Sequence, residues 1–151
     1  MTDSLSHPDA QRALAEVLDE LIPPRADGSL LGAGGLGLGS YVAEQLGVAG
    51  AIVLAGLAKL DELAAQRGSS SFAEVSQDRR AELINEVASS HPGFIESLIF
   101  HTYAGYYQDP RVVESLGVSA HPPYPKGFDL EAGDLSLLDA VRARPKQYRE
   151  A

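Results

Sequence analysis

The chain has 151 residues, enough for one domain that buries well over half of its unfolded surface, and 44% of them are apolar, so a packed core is expected. Twelve basic against twenty-one acidic residues give a formal net charge of −9, which disfavours both nucleic acid and an anionic membrane surface as partners. The absence of cysteine excludes disulfides, thiolate nucleophiles, iron–sulfur clusters and cysteine-ligated zinc.

Residues Ser6 to Ile22 read as an amphipathic helix. Ser6 and Asp9 have capping-box spacing, Pro8 suits the first turn, and Leu14, Val17, Leu18, Leu21 and Ile22 recur on one face. Pro23-Pro24 stops it, because neither residue can donate an amide hydrogen and each restricts its predecessor. Residues 25–39 form a glycine-rich stretch expected to be a flexible linker. A second helical region spans Ser40 to Arg67 with a break expected near Gly47 and Gly50. Its middle, Val48 to Leu60, is apolar almost all round but would span only about 20 Å as a helix, against roughly 30 Å of hydrocarbon. A buried central helix with small residues allowing close packing is the expectation, and no direct membrane insertion.

Gly68 to Ser71 ends that region. Phe72-Ala-Glu-Val75 leads into a third helix capped by Ser76, and a fourth begins after Ser90, with Pro92 in its first turn, and runs from Phe94 to about Tyr107. Asp109-Pro110 ends it. Arg111 to Leu116 makes a short helical turn closed by Gly117, a residue suited to a left-handed cap. Residues 118–134, rich in proline and glycine, should be an extended arm, and Ser136 to Arg144 a last short helix. No alternating strand pattern and no fixed repeat is present. The expected fold is all-α: one compact domain over residues 1–151 with about five helices and a proline-rich C-terminal arm.

Gly32-Ala-Gly34-Gly-Leu-Gly37 matches the dinucleotide fingerprint in letters. Its context does not match, because no buried strand precedes it and the acidic position about 20 residues on falls among Leu54, Ala55 and Gly56. His7, His91, His101 and His121 have no paired spacing for a metal. His101 stands out as a mid-helix histidine beside Leu98, Ile99 and Phe100, either packed in a core or functional. The carboxylate pairs read as solvated faces or caps, and no serine sits in a nucleophile elbow. No catalytic, cofactor-binding or metal-ligating residue is nominated. Tyr103, Tyr106 and Tyr107 cluster on one helix, and Tyr124, Pro125 and Phe128 follow in a stiff proline-rich run, a composition suited to a protein contact.

Several blocks in order carry a resemblance: Leu21-Ile22-Pro23, Phe72-Ala-Glu-Val-Ser76, Gly105-Tyr-Tyr-Gln-Asp-Pro-Arg111, Leu116-Gly117, the proline-rich run and Leu137-Leu-Asp-Ala-Val-Arg142. At these residues the chain resembles the gluconate 2-dehydrogenase subunit 3 family. The resemblance implies a non-catalytic small subunit beside a large flavoprotein dehydrogenase of the glucose–methanol–choline type, oxidising a sugar, polyol or glycoside. FAD is then expected in the partner and none in this chain. It also implies that Tyr103, Tyr106, Tyr107, Asp109, Pro110, Arg111, Tyr124, Pro125 and Phe128 lie at or under the contact. With no signal sequence in the chain as given, a cytoplasmic location is expected, or a periplasmic one if a leader is removed or the partner supplies it. Two other readings remain open: a stand-alone helical enzyme or small-ligand protein centred on His101, and a homo-oligomeric structural protein joined through Val48 to Leu60.

Overall fold

The computed structural model describes residues 5–118, 127 and 132–145, which fall in two units, 1–120 and 121–151. The first unit holds helices α1 (Pro8–Leu21), α2 (Gly39–Gln45), α3 (Gly50–Gln66), α4 (Gln77–Ser90), α5 (Phe94–Gln108) and α6 (Pro110–Ser115). Short 3-10 turns at Gly47–Ala49 and Phe72–Glu74 join some of them. In the second unit a 3-10 turn, Leu135–Leu138, precedes α7 (Asp139–Arg142), and Asp134 caps it by accepting from the Ser136 amide at 3.0 Å and hydroxyl at 2.6 Å. The described residues contain no strand, so the all-α expectation holds.

Helix α1 buries Ala13, Leu14, Val17 and Leu18, the face that its periodicity marked. Its N-cap is His7 rather than Ser6, with Nδ1 accepting from the Asp9 amide at 3.4 Å, and Pro8 is the first helical residue because its missing amide hydrogen costs nothing there. The second helical region breaks where the glycines stand, and α2 and the following helical stretch meet at 111°. No single helix among the described residues is long and apolar enough to cross a membrane. Along α3, Val53, Gly56, Leu57, Leu60, Leu63 and Ala64 are buried and form one inward face, whereas Ala51, Ile52, Ala55 and Ala58 of the apolar run are exposed. Val48, expected inside, is fully exposed on the 3-10 turn, because that turn precedes the helix and projects past the packed faces.

Two glycines set the packing distances. A Cβ on Gly56 would stand 2.2 Å from the Phe94 ring, which lies fully buried across α3. A Cβ on Gly105 would stand 2.7 Å from the Tyr41 ring of α2. Helix α4 closes the other side with Leu83, Ile84 and Val87. Its Arg80 pairs with Glu16 of α1 and donates to the Val75 carbonyl at 2.9 Å, while Arg67 at the end of α3 pairs with Glu86 at 2.6 Å. Helix α5 begins at Phe94, so Pro92 lies before it rather than in its first turn, because Gly93 takes the left-handed conformation (φ 89°) that separates it from α4, and Glu96 accepts from the Gly93 amide at 3.1 Å.

Residues 25–38 depart most from expectation. They are not a loose connector: Leu30, Ala33, Leu36 and Leu38 are buried, and the Ala33 amide donates to the Ile22 carbonyl at 2.9 Å. Glycine content signalled freedom, whereas the glycines serve to let this backbone lie against α1.

Alanine at Gly56 gains about 1 kcal/mol of helix propensity but drives a methyl into a buried ring, and overpacking of that kind costs roughly 1–3 kcal/mol or more. Gly56→Ala is therefore expected to lower the unfolding free energy by up to about 2 kcal/mol, measured by urea denaturation, with the double variant Gly56→Ala/Phe94→Leu recovering part of it.

Candidate functional site

The distinctive block of residues 105–111 sits at the junction of α5 and α6, with Gly105 and Tyr106 buried, Asp109 half-buried and Tyr107, Gln108, Pro110 and Arg111 exposed. Gly105 makes the close approach to Tyr41 possible. Tyr106 is buried, and its hydroxyl donates to the Leu31 carbonyl at 3.2 Å. Asp109 ends α5 and caps α6: its Oδ1 accepts from the Arg111 amide at 2.9 Å, and Pro110 fills the first helical position. The same carboxylate accepts from Arg111 Nε at 2.9 Å and from Nη2 at 2.6 Å. That Nη2 also donates to the Leu36 carbonyl at 3.1 Å. Charge-assisted bonds from Arg111, chiefly side chain to side chain, hold the Asp109 carboxyl below its ordinary value of 3.8 against the opposing effect of desolvation.

The glycine-rich segment is thus fastened from one side by Tyr106 and Arg111. From the other side α1 holds it, because Asp19 Oδ1 accepts from the Gly34 amide at 2.7 Å and the Gly35 amide at 3.2 Å. A Cβ on Gly34 would fall 2.0 Å from the Ala15 carbonyl oxygen, and one on Gly32 2.3 Å from Asp19 Oδ1. Amides that would meet a pyrophosphate in a dinucleotide fold here meet the chain's own carboxylate.

Phe100, Tyr103 and Tyr107 face outward on α5, with exposures of 72%, 44% and 52%. The Tyr103 and Tyr107 ring centroids lie 6.1 Å apart, and the Tyr107 ring meets Tyr106 edge-on at 5.3 Å. Phe100, expected only as an apolar neighbour of His101, joins this outward face, and its place three residues before Tyr103 and seven before Tyr107 is the helical spacing that marks it. His101 is half-buried, with the Phe100 ring edge-on at 5.3 Å. Two surface clefts, of about 340 Å³ beside Arg67, Arg79 and Glu82 and of about 230 Å³ between α1 and α4, are not lined by His101. Among the described residues no three His, Asp or Glu side chains are grouped to hold a metal ion. Tyr124, Pro125 and Phe128 lie outside the described residues.

The sequence model of the family described as gluconate 2-dehydrogenase subunit 3 matches residues 8–119. The chain belongs to that family. The matched stretch starts at the first residue of α1 and takes in the glycine-rich segment, the 105–111 block and every helix through α6, whereas α7 lies beyond it. Comparison with curated proteins and with solved structures gave no match.

Removing the Arg111 side chain frees the Leu36 carbonyl and the Asp109 carboxylate together. Arg111→Ala is expected to speed amide hydrogen exchange across residues 31–38 more than elsewhere, with Tyr106→Phe giving a smaller change in the same amides. Acidification tests the same junction. Because the folded carboxyl titrates below the unfolded one, its stabilisation is complete above 3.8 and is lost as pH falls through the folded value. Asp109→Asn should melt lower than wild type near neutral pH, and the gap should narrow between about pH 5 and pH 2.

Proposed function

We propose that the chain is a non-catalytic small subunit that binds and stabilises a large FAD-dependent dehydrogenase subunit of the glucose–methanol–choline type, acting on a sugar, polyol or glycoside. The family match across residues 8–119 carries this reading, since the family is described as one subunit of a dehydrogenase. The fate of the glycine fingerprint supports placing the flavin in the partner: here its backbone is engaged with Ala15 and Asp19 rather than open to a phosphate. Tyr103 and Tyr107 would touch the large subunit, with exposed Pro110 and Arg111 beside them, while buried Tyr106 and half-buried Asp109 would shape the surface from beneath. Tyr124, Pro125 and Phe128 would extend the contact along the chain.

A subunit that binds only the folded partner raises that partner's apparent stability by mass action. Co-expression with a large flavoprotein dehydrogenase subunit from the same source should give a heteromer by native mass spectrometry, with flavin absorbance in the complex and none in this chain alone. The large subunit should melt several degrees higher when bound. A large subunit that is equally stable, active and flavin-loaded without this chain, and that does not co-elute with it, would overturn the reading.

A further inference from the structure

We propose that Phe100, Tyr103 and Tyr107 form the anchor strip of the subunit contact, seated in an uncharged apolar groove of the large subunit with a basic group at the end that meets Glu96. This rests on the heteromer reading above and adds the face and the chemistry of the partner surface.

Helix α5 packs Phe94, Leu98, Thr102, Gly105 and Tyr106 into the chain's own core. The residues opposite them, Phe100, Tyr103 and Tyr107, follow the i, i+3, i+7 spacing of a single outward line. No carboxylate, lysine or arginine occurs from Ser97 to Gln108, in a chain in which 22% of residues are charged. A helix apolar on both sides belongs inside an assembly, because one face is left in water when the chain stands alone. Phe100 is the most exposed of the three, and large aromatic side chains at the centre of a contact carry a disproportionate share of binding energy.

The strip is also held ready. Tyr107 rests edge-on against Tyr106, whose hydroxyl is tied to the Leu31 carbonyl, and on the other side it neighbours Tyr103. Side chains braced before association lose less rotamer freedom on docking. Tyr106 is thus a positioning residue for the contact rather than part of it.

Charge selects the occupant. Two copies of a chain carrying −9 repel one another, and an anionic lipid surface repels each copy, so neither is favoured on this face. The exposed Glu96, one turn before Phe100 on the same outward line, is the charged end of the strip, and a lysine or arginine of a different polypeptide complements it.

Affinity of the full-length chain for the flavin-loaded large subunit distinguishes the outcomes, with Val48→Asp as a control at an exposed apolar site outside the strip. Phe100→Asp and Tyr107→Ala are each expected to weaken binding at least roughly 30-fold, the hot-spot range. Val48→Asp should leave it within about threefold, and all three variants should melt close to wild type, as exposed substitutions do. Failure of the wild-type chain to bind the large subunit removes the heteromer reading itself. Wild-type binding with Phe100→Asp and Tyr107→Ala equally tight overturns the strip alone. A homodimer of the isolated chain that Phe100→Asp dissolves overturns the choice of occupant.

Discussion

The backbone of residues 32–35 lies so close to α1 that the Ala15 carbonyl leaves no room for a methyl group on Gly34, and Asp19 takes up two of its amides. Everything at the far side of the domain leans on that seating. The carbonyls of Leu31 and Leu36 become fixed acceptors, one for Tyr106 and one for Arg111, and those bonds locate α5 and α6 relative to α1. A glycine-rich segment that composition marks as slack is the wedge between the first and last helices of the unit. Glycine's lack of a side chain is used here for proximity more than for conformational freedom.

The 105–111 block is best understood from that wedge outward. Asp109 and Arg111 form a local fork whose spare donor reaches the wedge, and Pro110 allows α6 to start without an orphaned amide. Tyr106 and Tyr107, adjacent in sequence, face opposite ways. One spends its hydroxyl inside, and the other presents an open ring. One string of polar and aromatic letters thus divides into an inward fastening through the Tyr106 hydroxyl and Arg111, and an outward face led by Tyr107.

Much of the fold was legible because its signals are local. The amphipathic period of α1, the glycine break before α3, the Asp-Pro junction and the left-handed Gly117 each depend on neighbours a few residues away. The misreadings are those that depend on distant partners. Residues 25–38 were assigned to a linker because nothing in their own letters reveals Ala15 and Asp19 lying alongside. The inward bonds of Arg111 and Tyr106 are equally hidden from the sequence, because their acceptors stand 75 positions earlier in the chain. Hydropathy alone does not reveal that Val48 and Phe100 are exposed, because exposure depends on which faces the rest of the chain covers. Family membership was legible from short blocks, of which the 105–111 string is the most distinctive.

Those 75-position spans also carry a timing. At synthesis rates of about 5–20 residues per second, the Leu31 and Leu36 carbonyls leave the ribosome roughly 4–15 s before the side chains that will bond them. During that interval α1 and the glycine segment have each other but not their second fastening. The last step of assembly therefore falls to the stretch that also bears the outward aromatic line, so a nascent chain offers a finished docking face only after its N-terminal third has been locked.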